Sequence, residues 1–156
     1  MSTPIEIAGT VLAKASLLDH RINPTKETIQ AWAECFAGED IWPREALDGV
    51  AAHYRKPNPF PLMPGDVLAY CGELPVWSSN EHASQFLDEW IEHPFADVVP
   101  TFTGIPWPEV SIPDDVPPTQ EQFWLGETRR RWIRENRQRL IGAILSTRHH
   151  PRELGR

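Results

Sequence analysis

Patterns that mark common enzyme classes are missing from this 156-residue sequence. It has neither the Gly-x-x-x-x-Gly-Lys-Ser/Thr loop of nucleotide hydrolases nor the Gly-x-Gly-x-x-Gly of dinucleotide-binding proteins, and its nine glycines are dispersed. No serine lies in a Gly-x-Ser-x-Gly context. The six histidines and two cysteines include no pair at an accepted zinc-ligand spacing. We therefore predict a protein that is not an enzyme and that needs no cofactor and no metal.

Cysteine and long apolar runs are also scarce. Cys35 and Cys71 fall in separate predicted helices, so they form no disulfide framework, and a reducing compartment is the simplest interpretation. No run approaches the roughly 18 apolar residues of a membrane span, and the start of the chain lacks the basic residues of a targeting segment. The sequence therefore predicts a soluble, cytoplasmic protein without a membrane partner.

Charge is divided by position along the chain. Residues 1–118, the acidic body, carry 18 Asp and Glu against 6 Lys and Arg, a net charge of −12. Residues 119–156, the basic tail, carry 4 acids against 9 arginines, a net charge of +5. A chain divided in this way is expected to use its tail to engage something acidic. This division favours an adaptor or loading protein over an enzyme.

Apolar residues at spacings of three and four predict an all-α fold that begins with a compact four-helix head domain at 1–75. Each helix has a start signal, either a first-turn proline or an N-cap, and these are Pro4, Asn23 or Thr25, Pro43 and Pro64. Four prolines at 57–64 predict a rigid extended connector that Phe60 and Leu62 pin to the core. Gly49 weakens the third helix unless a neighbouring helix comes close there.

Three further segments are predicted after the head domain. An additional helix, within 76–93, is capped by Asn80 and runs from Glu81 to His93. A proline-rich connector at 94–118 is expected to be extended and weakly ordered. A basic amphipathic helix and tail fill 119–156, where a capping box at 119–122 starts one long helix that ends at Thr147 or Arg148.

The basic helix is the densest feature of the sequence, with six arginines in the eleven residues 129–139. It also has an apolar stripe, so we expect a protein surface to receive that face. Three settings fit: docking on this chain itself, docking on a partner protein, or contact with nucleic acid. Its predicted partner-binding residues are Trp124, Leu125, Arg129, Arg130, Arg131, Trp132, Arg134, Arg137, Leu140 and Ile144. Trp107 and Trp124 lie where no core is expected and are also candidates for partner contact.

Short motifs in the first 75 residues recur in a recognisable order. Trp32 lies on one helix, an Ala-rich helix ends in His53-Tyr54, and 63–67 reads Met-Pro-Gly-Asp-Val; Asp-His-Arg precedes them at 19–21. This order resembles the amino-terminal domain of small phage replicative-helicase loaders. His53, Tyr54, Met63 and Asp66 match motif positions, although physically they look like scaffold. The basic tail departs from the polar tail of that family, so no helicase-contact residue is carried over.

The resemblance implies a non-enzymatic phage or prophage adaptor in the cytoplasm of a bacterial host. Its expected partners are a hexameric replicative helicase and an initiator protein, with the basic helix as the principal helicase contact. The alternative is a DNA-binding replication or regulatory protein whose C-terminal arginines contact phosphates. Salt dependence separates the two, because phosphate binding weakens with a log–log slope near 0.9 per contact.

Overall fold

A computed structural model describes residues 2–146 of the chain. Within that range the protein is all-helical, with eight α-helices and no strand, which confirms the predicted fold class. The chain divides into two compact units, Met1–Leu74 and Pro75–Arg156. The predicted head domain ends one residue beyond this boundary. The other three predicted segments lie together in the second unit.

The first unit contains four helices, and their starts follow from the start signals in the sequence. Thr3 caps α1 and forms a capping box with Glu6, and the Thr25 hydroxyl accepts a hydrogen bond from the Thr28 amide to cap α2. Prolines occupy the first positions of α1, α3 and α4. The bounds are α1 Pro4–Leu18, α2 Lys26–Phe36, α3 Pro43–Tyr54 and α4 Pro64–Gly72.

The four helices of the first unit enclose one apolar core. α1 packs on α2 and α3, and α4 packs on α3 and α2. The largest fully buried side chains are Phe36, Leu12, Leu62, Val11, Val50 and Val67. Gly49 allows the close approach of α3 and α4, because a Cβ there would lie 3.0 Å from Cδ1 of Tyr70. As expected for a glycine inside a helix, a neighbouring helix comes close at Gly49.

The second unit contains α5 Asn80–Trp90, α6 Val98–Thr103, a 3-10 turn at Pro118–Gln120, α7 Glu121–Glu135 and α8 Arg137–Ser146. Ser79, and not Asn80, caps α5 through a hydrogen bond from the His82 amide. The core lies where α8 packs against α5 and α6. It consists of Ala83, Phe86, Leu87, Ile91, Val99, Ile133, Leu140, Ile141 and Ile144.

The prediction that the 94–118 connector is weakly ordered is wrong for its first part. Residues 98–103 form α6, Val99 is buried, and Gly104 ends the helix in the left-handed conformation. Thr103 is also buried, and its hydroxyl donates to the Val99 carbonyl. Burial of Val99 against α5 and α8 stabilises α6. The proline-rich composition of the segment gave no sign of this contact.

The single long helix predicted for the basic tail is also wrong. Asn136 separates α7 from α8, because its backbone leaves the helical conformation, with φ −107° and ψ 15°. Its side-chain amide donates to the Trp132 carbonyl oxygen at 2.9 Å, the same oxygen that accepts from its backbone amide at 3.0 Å. The predicted capping box at 119–122 does not form. A 3-10 turn precedes α7, and Gln120 caps it without a side-chain hydrogen bond. The predicted helix end at Thr147 or Arg148 lies outside the described residues.

Candidate partner-binding surfaces

The structure places two of the predicted partner-binding residues in the core. Leu140 and Ile144 are 0% exposed and pack with Ile133 inside the second unit. Their prediction as partner contacts is therefore corrected. The apolar stripe exists, but the receiving surface belongs to this chain, because the break at Asn136 lets α8 pack on α5 and α6.

Three of the predicted arginines bind backbone carbonyls of the same unit. Arg129 donates from Nη1 to Pro94 at 3.0 Å, and Arg130 donates from Nε to Ile91, the residue that ends α5, at 3.3 Å. Cations are favourable at a helix carboxyl end, where the carbonyls lack helical donors. Arg137 donates from Nη2 to the Ser84 carbonyl at 3.0 Å and lies 2.8 Å from Asp88. These three arginines therefore fasten α7 and α8 to the α5 region.

The predicted aromatic contacts also lie within the second unit. Trp107 and Trp132 are half-buried, and their ring centroids lie 5.7 Å apart in an edge-on arrangement. The Arg129 guanidinium lies 4.7 Å from the centroid of the Trp107 ring, which is within cation–π range. Leu125 and Trp124 are half-buried. Trp107 and Trp132 are therefore partly occupied by contacts in their own unit, and all four residues have only part of their surface free for a partner.

One face of α7 remains exposed, and we name it the α7 face. It consists of Phe123, Glu127, Arg131 and Arg134, which align at spacings of four, four and three. Phe123 is 71% exposed. In the described residues, neither Arg131 nor Arg134 has a hydrogen bond or an ion pair. Phe123 is not among the residues predicted from the sequence, because it lies off the apolar stripe. An aromatic residue on the polar side of a basic helix was the available signal.

A second surface lies in the first unit, where the connector at 57–63 borders an open groove of about 550 Å³. We name it the connector groove, and define it by His53, Lys56, Phe60, Met63 and Asp66 with the prolines between them. Phe60 is 85% exposed and Met63 is 61% exposed. The prediction that Phe60 pins the connector to the core is therefore wrong. Leu62 alone does so, at 1% exposure.

Hydrogen bonds from α3, from α4 and from the loop after α1 hold the connector in place. Arg21 donates to the Pro59 carbonyl at 2.9 Å, and His53 Nε2 lies 2.6 Å from the Phe60 carbonyl oxygen. The Leu62 amide donates to the Tyr54 hydroxyl at 3.2 Å. The Met63 amide donates to Asp66 Oδ2 at 2.9 Å. The connector is therefore fixed at four of its residues, which are Pro59, Phe60, Leu62 and Met63.

Asp19 anchors this network. Its carboxylate accepts two hydrogen bonds from the Arg21 side chain, at 2.9 and 3.1 Å, and one from the Tyr54 hydroxyl at 2.8 Å. The hydrogen bonds from Arg21 hold the pKa of Asp19 well below its ordinary value, although burial opposes the shift. Burial raises the pKa of Tyr54 above its ordinary value, so its hydroxyl keeps the proton that it donates. The motif residues Asp19, Arg21, His53, Tyr54 and Asp66 thus meet around one connector.

The described part of the chain contains no group of three or more His, Cys, Asp and Glu side chains placed to hold a metal ion. Across 2–146, every helix falls short of the length or apolarity needed to cross a bilayer. Comparison of the chain with protein families, with curated proteins and with solved structures found no match. The two surfaces are therefore interpreted from their own geometry.

Proposed function

We propose that this protein is a non-enzymatic adaptor of phage or prophage DNA replication, which binds a hexameric replicative helicase in a bacterial host and assists or regulates its loading. The observation that carries the proposal is the α7 face. It presents one large exposed aromatic side chain in line with two arginines that have no partner in the described residues. Tryptophan, tyrosine and arginine are enriched among the residues that carry most of the binding energy of an interface, and phenylalanine is enriched at interface cores.

The motif residues of the first unit supply the link to helicase loading. Asp19 and Arg21, His53 and Tyr54, and Asp66 come from three separate segments of the sequence, yet all bind the connector or one another. These motif residues build one local structure. That supports the resemblance better than motif residues lying apart in a helical bundle would. These five residues of the resemblance therefore share one structural role, which is to fix the connector between α3 and α4.

Truncation of the basic tail is not a suitable test of helicase binding. Cutting the chain after Pro118 would remove Ile133, Leu140, Ile141 and Ile144 from the core of the second unit, so loss of binding would not identify the contact. Substitutions on the α7 face leave that core intact. We expect Phe123→Ala to weaken capture of purified bacterial hexameric helicases by at least about tenfold, or about 1.4 kcal/mol. Biolayer interferometry with the full-length protein measures this change.

Two matched controls accompany that measurement. Leu17→Ala removes an apolar side chain that is 86% exposed on α1, so it should leave helicase affinity unchanged. The double variant Arg131→Glu/Arg134→Glu should also weaken capture. Its control is Lys26→Glu/Arg44→Glu, which makes the same change in net charge on the first unit and should leave capture unchanged. Equal affinity of wild-type protein and Phe123→Ala would remove the α7 face from the helicase contact. Failure of the intact protein to bind any hexameric helicase would refute the proposed function itself.

Direct DNA contact is the second candidate, because Arg131, Arg134 and Arg139 are exposed. If these three arginines contact phosphates, the log–log dependence of affinity on salt should have a slope of about 2 to 3. Arg131→Ala should then reduce the slope by about one unit, while Phe123→Ala should have little effect on it. A slope near zero would exclude phosphate contact by these arginines.

A further inference from the structure

A second exposed aromatic side chain lies beside the α7 face. A Cβ added to Gly126 would lie 3.3 Å from Cζ of Phe95, so the Phe95 ring packs directly on α7 at this glycine. Phe123 precedes Gly126 by three residues, and residues at this spacing are neighbours on a helix surface. Phe95 and Phe123 are both more than half exposed. They therefore provide apolar surface at neighbouring positions of the second unit.

The backbone that carries both rings is held by the fold. The Arg129 guanidinium donates to the Pro94 carbonyl and lies 5.9 Å from the centroid of the Phe95 ring. Arg130 fastens α7, and with it Phe123, to the Ile91 carbonyl. A partner would therefore meet apolar side chains on a backbone that is already placed, which lowers the entropic cost of binding.

The α7 face has a positive charge that its own acid does not cancel. Glu127 is the one acid of this face, and its carboxylate already pairs with Arg130 at 2.6 Å. Among the described residues, no hydrogen bond or ion pair engages Arg131 or Arg134. At about 100° per residue, Arg134 and Arg131 lie about 20° and 80° around the helix from Phe123, and Glu135 lies beyond them at about 120°. Two unpaired guanidinium groups therefore adjoin the exposed apolar surface.

These charges favour a protein segment with carboxylates over nucleic acid. The second unit carries 12 acids against 9 arginines in 75–156, a net charge of −3, and a polyanion would be repelled by that excess. A short segment with one or two carboxylates needs only the local pair of arginines. Guanidinium–carboxylate hydrogen bonds are charge-assisted and specific in their geometry. The exposed phenylalanines add the requirement for apolar side chains next to those carboxylates.

We propose that the α7 face, together with Phe95, binds a segment of a partner protein in which one or two carboxylates adjoin large apolar side chains. The carboxylates accept hydrogen bonds from Arg131 and Arg134, and the apolar side chains pack on Phe123 and Phe95. The chemistry of the segment follows from the geometry of this surface. That the segment belongs to the helicase rests on the proposed function.

A phage-displayed library of random peptides, selected on the full-length protein, tests the chemistry of the segment. We expect enriched peptides to combine Asp or Glu with large apolar residues. Enrichment should be lost on Phe123→Ala and on the double variant Arg131→Glu/Arg134→Glu. Circular dichroism confirms that each variant remains folded.

Matched controls for this selection lie in the first unit. Leu17→Ala removes an exposed apolar side chain, and Lys26→Glu/Arg44→Glu reverses two exposed positive charges. Peptide enrichment should persist on both control variants, because neither alters the second unit.

Fluorescence anisotropy on a synthetic copy of the most enriched peptide measures the contacts separately. Replacing its acids by the corresponding amides should weaken binding at least about fivefold. Phe95→Ala should also weaken binding. A peptide with lysine in place of its acids should bind Arg131→Glu/Arg134→Glu more tightly than it binds the wild-type protein, because both signs are then reversed. A structural role of the two arginines would not produce this reversal.

Competition separates this inference from the proposed function. The enriched peptide should displace a hexameric helicase from the immobilised protein in biolayer interferometry. A helicase that binds but is not displaced would overturn the assignment of its segment to this surface. Peptide binding without any helicase binding would refute the proposed function and leave the chemistry of the segment supported.

Four results would overturn the proposed chemistry. The first is no enrichment over the unselected library. The second is enrichment of peptides that lack acids or that bind Phe123→Ala unchanged. The third is a single-stranded oligothymidylate that binds more tightly than the peptide and loses affinity on Phe123→Ala, which would make nucleic acid the occupant. The fourth is a change in oligomeric state of Phe123→Ala by light scattering, which would make a second copy of this chain the occupant.

Discussion

Leu140→Ala tests whether the basic tail is part of the fold of this protein. The Leu140 side chain is 0% exposed and lies in the core of the second unit with Ile133, Ile141 and Ile144. Replacing a buried leucine by alanine costs about 2 to 5 kcal/mol of unfolding free energy, from lost burial and from the cavity that remains. For a unit of this size, even the lower figure lowers the melting temperature by about 10 °C or more.

Tryptophan fluorescence during urea unfolding is a suitable assay for this change. Five of the seven tryptophans, at 77, 90, 107, 124 and 132, lie in the second unit, so the signal reports mainly on that unit. Leu17→Ala is the matched control, because the same atoms are removed from an exposed position on α1. It should change the unfolding free energy by less than about 0.5 kcal/mol.

The result that would refute this reasoning is specific. If Leu140→Ala costs less than about 1 kcal/mol but abolishes capture of a partner, then Leu140 contacts that partner and is not core. The same measurement on Trp132→Ala distinguishes packing of Trp132 within the second unit from contact with a partner. Trp132 packs edge-on against Trp107, so we expect a loss of unfolding free energy even in the absence of any partner.

Three further predictions concern the first unit. Gly49→Ala should lower the unfolding free energy by about 1 to 3 kcal/mol despite the better helix propensity of alanine, because its Cβ would lie 3.0 Å from Tyr70; thermal melts measure this. The pKa of Asp19 is lowered in the folded protein. Its contribution to the free energy of unfolding is therefore complete above the ordinary pKa of 3.8 and is lost as pH falls towards the folded-state pKa. Melts from pH 7 to 3 should therefore show the stability difference between wild type and Asp19→Asn shrinking below about pH 4, and a constant difference would contradict the assignment. Iodoacetamide should label exposed Cys35 in the native protein and spare Cys71, because burial raises the pKa of the Cys71 thiol to about 12; mass spectrometry showing two native labels would be the contrary result.

Helix positions in the first unit were predictable because their signals are local. A proline in the first turn, or a threonine that caps it, acts within one turn of the chain, and α1, α3 and α4 begin at the predicted prolines. The interruption of the basic helix at Asn136 was missed for a related reason. A helical period of 3.6 residues assumes a continuous helix, and one residue outside the helical conformation, here Asn136, is enough to interrupt it.

The two surfaces were only partly predictable. Arg131 and Arg134 were identified from the density of arginines, but composition does not distinguish them from Arg129, Arg130 and Arg137, whose donors reach carbonyls 35 to 53 residues away. The connector was identified from its prolines. The direction of each of its side chains, with Leu62 buried and Phe60 exposed, depends on hydrogen bonds from other segments of the chain.

The amino-acid sequence by itself determined that this chain is helical, where the first four helices begin, and that acidic and basic residues are separated along it. These properties depend on contacts between near neighbours and on composition. Tertiary structure alone decided that Leu140 and Ile144 pack inside the chain, that three arginines bind its own backbone, and that His53 and Asp66 meet beside Phe60. Each of these outcomes requires segments far apart in sequence to come together, and no local pattern records which segments do so.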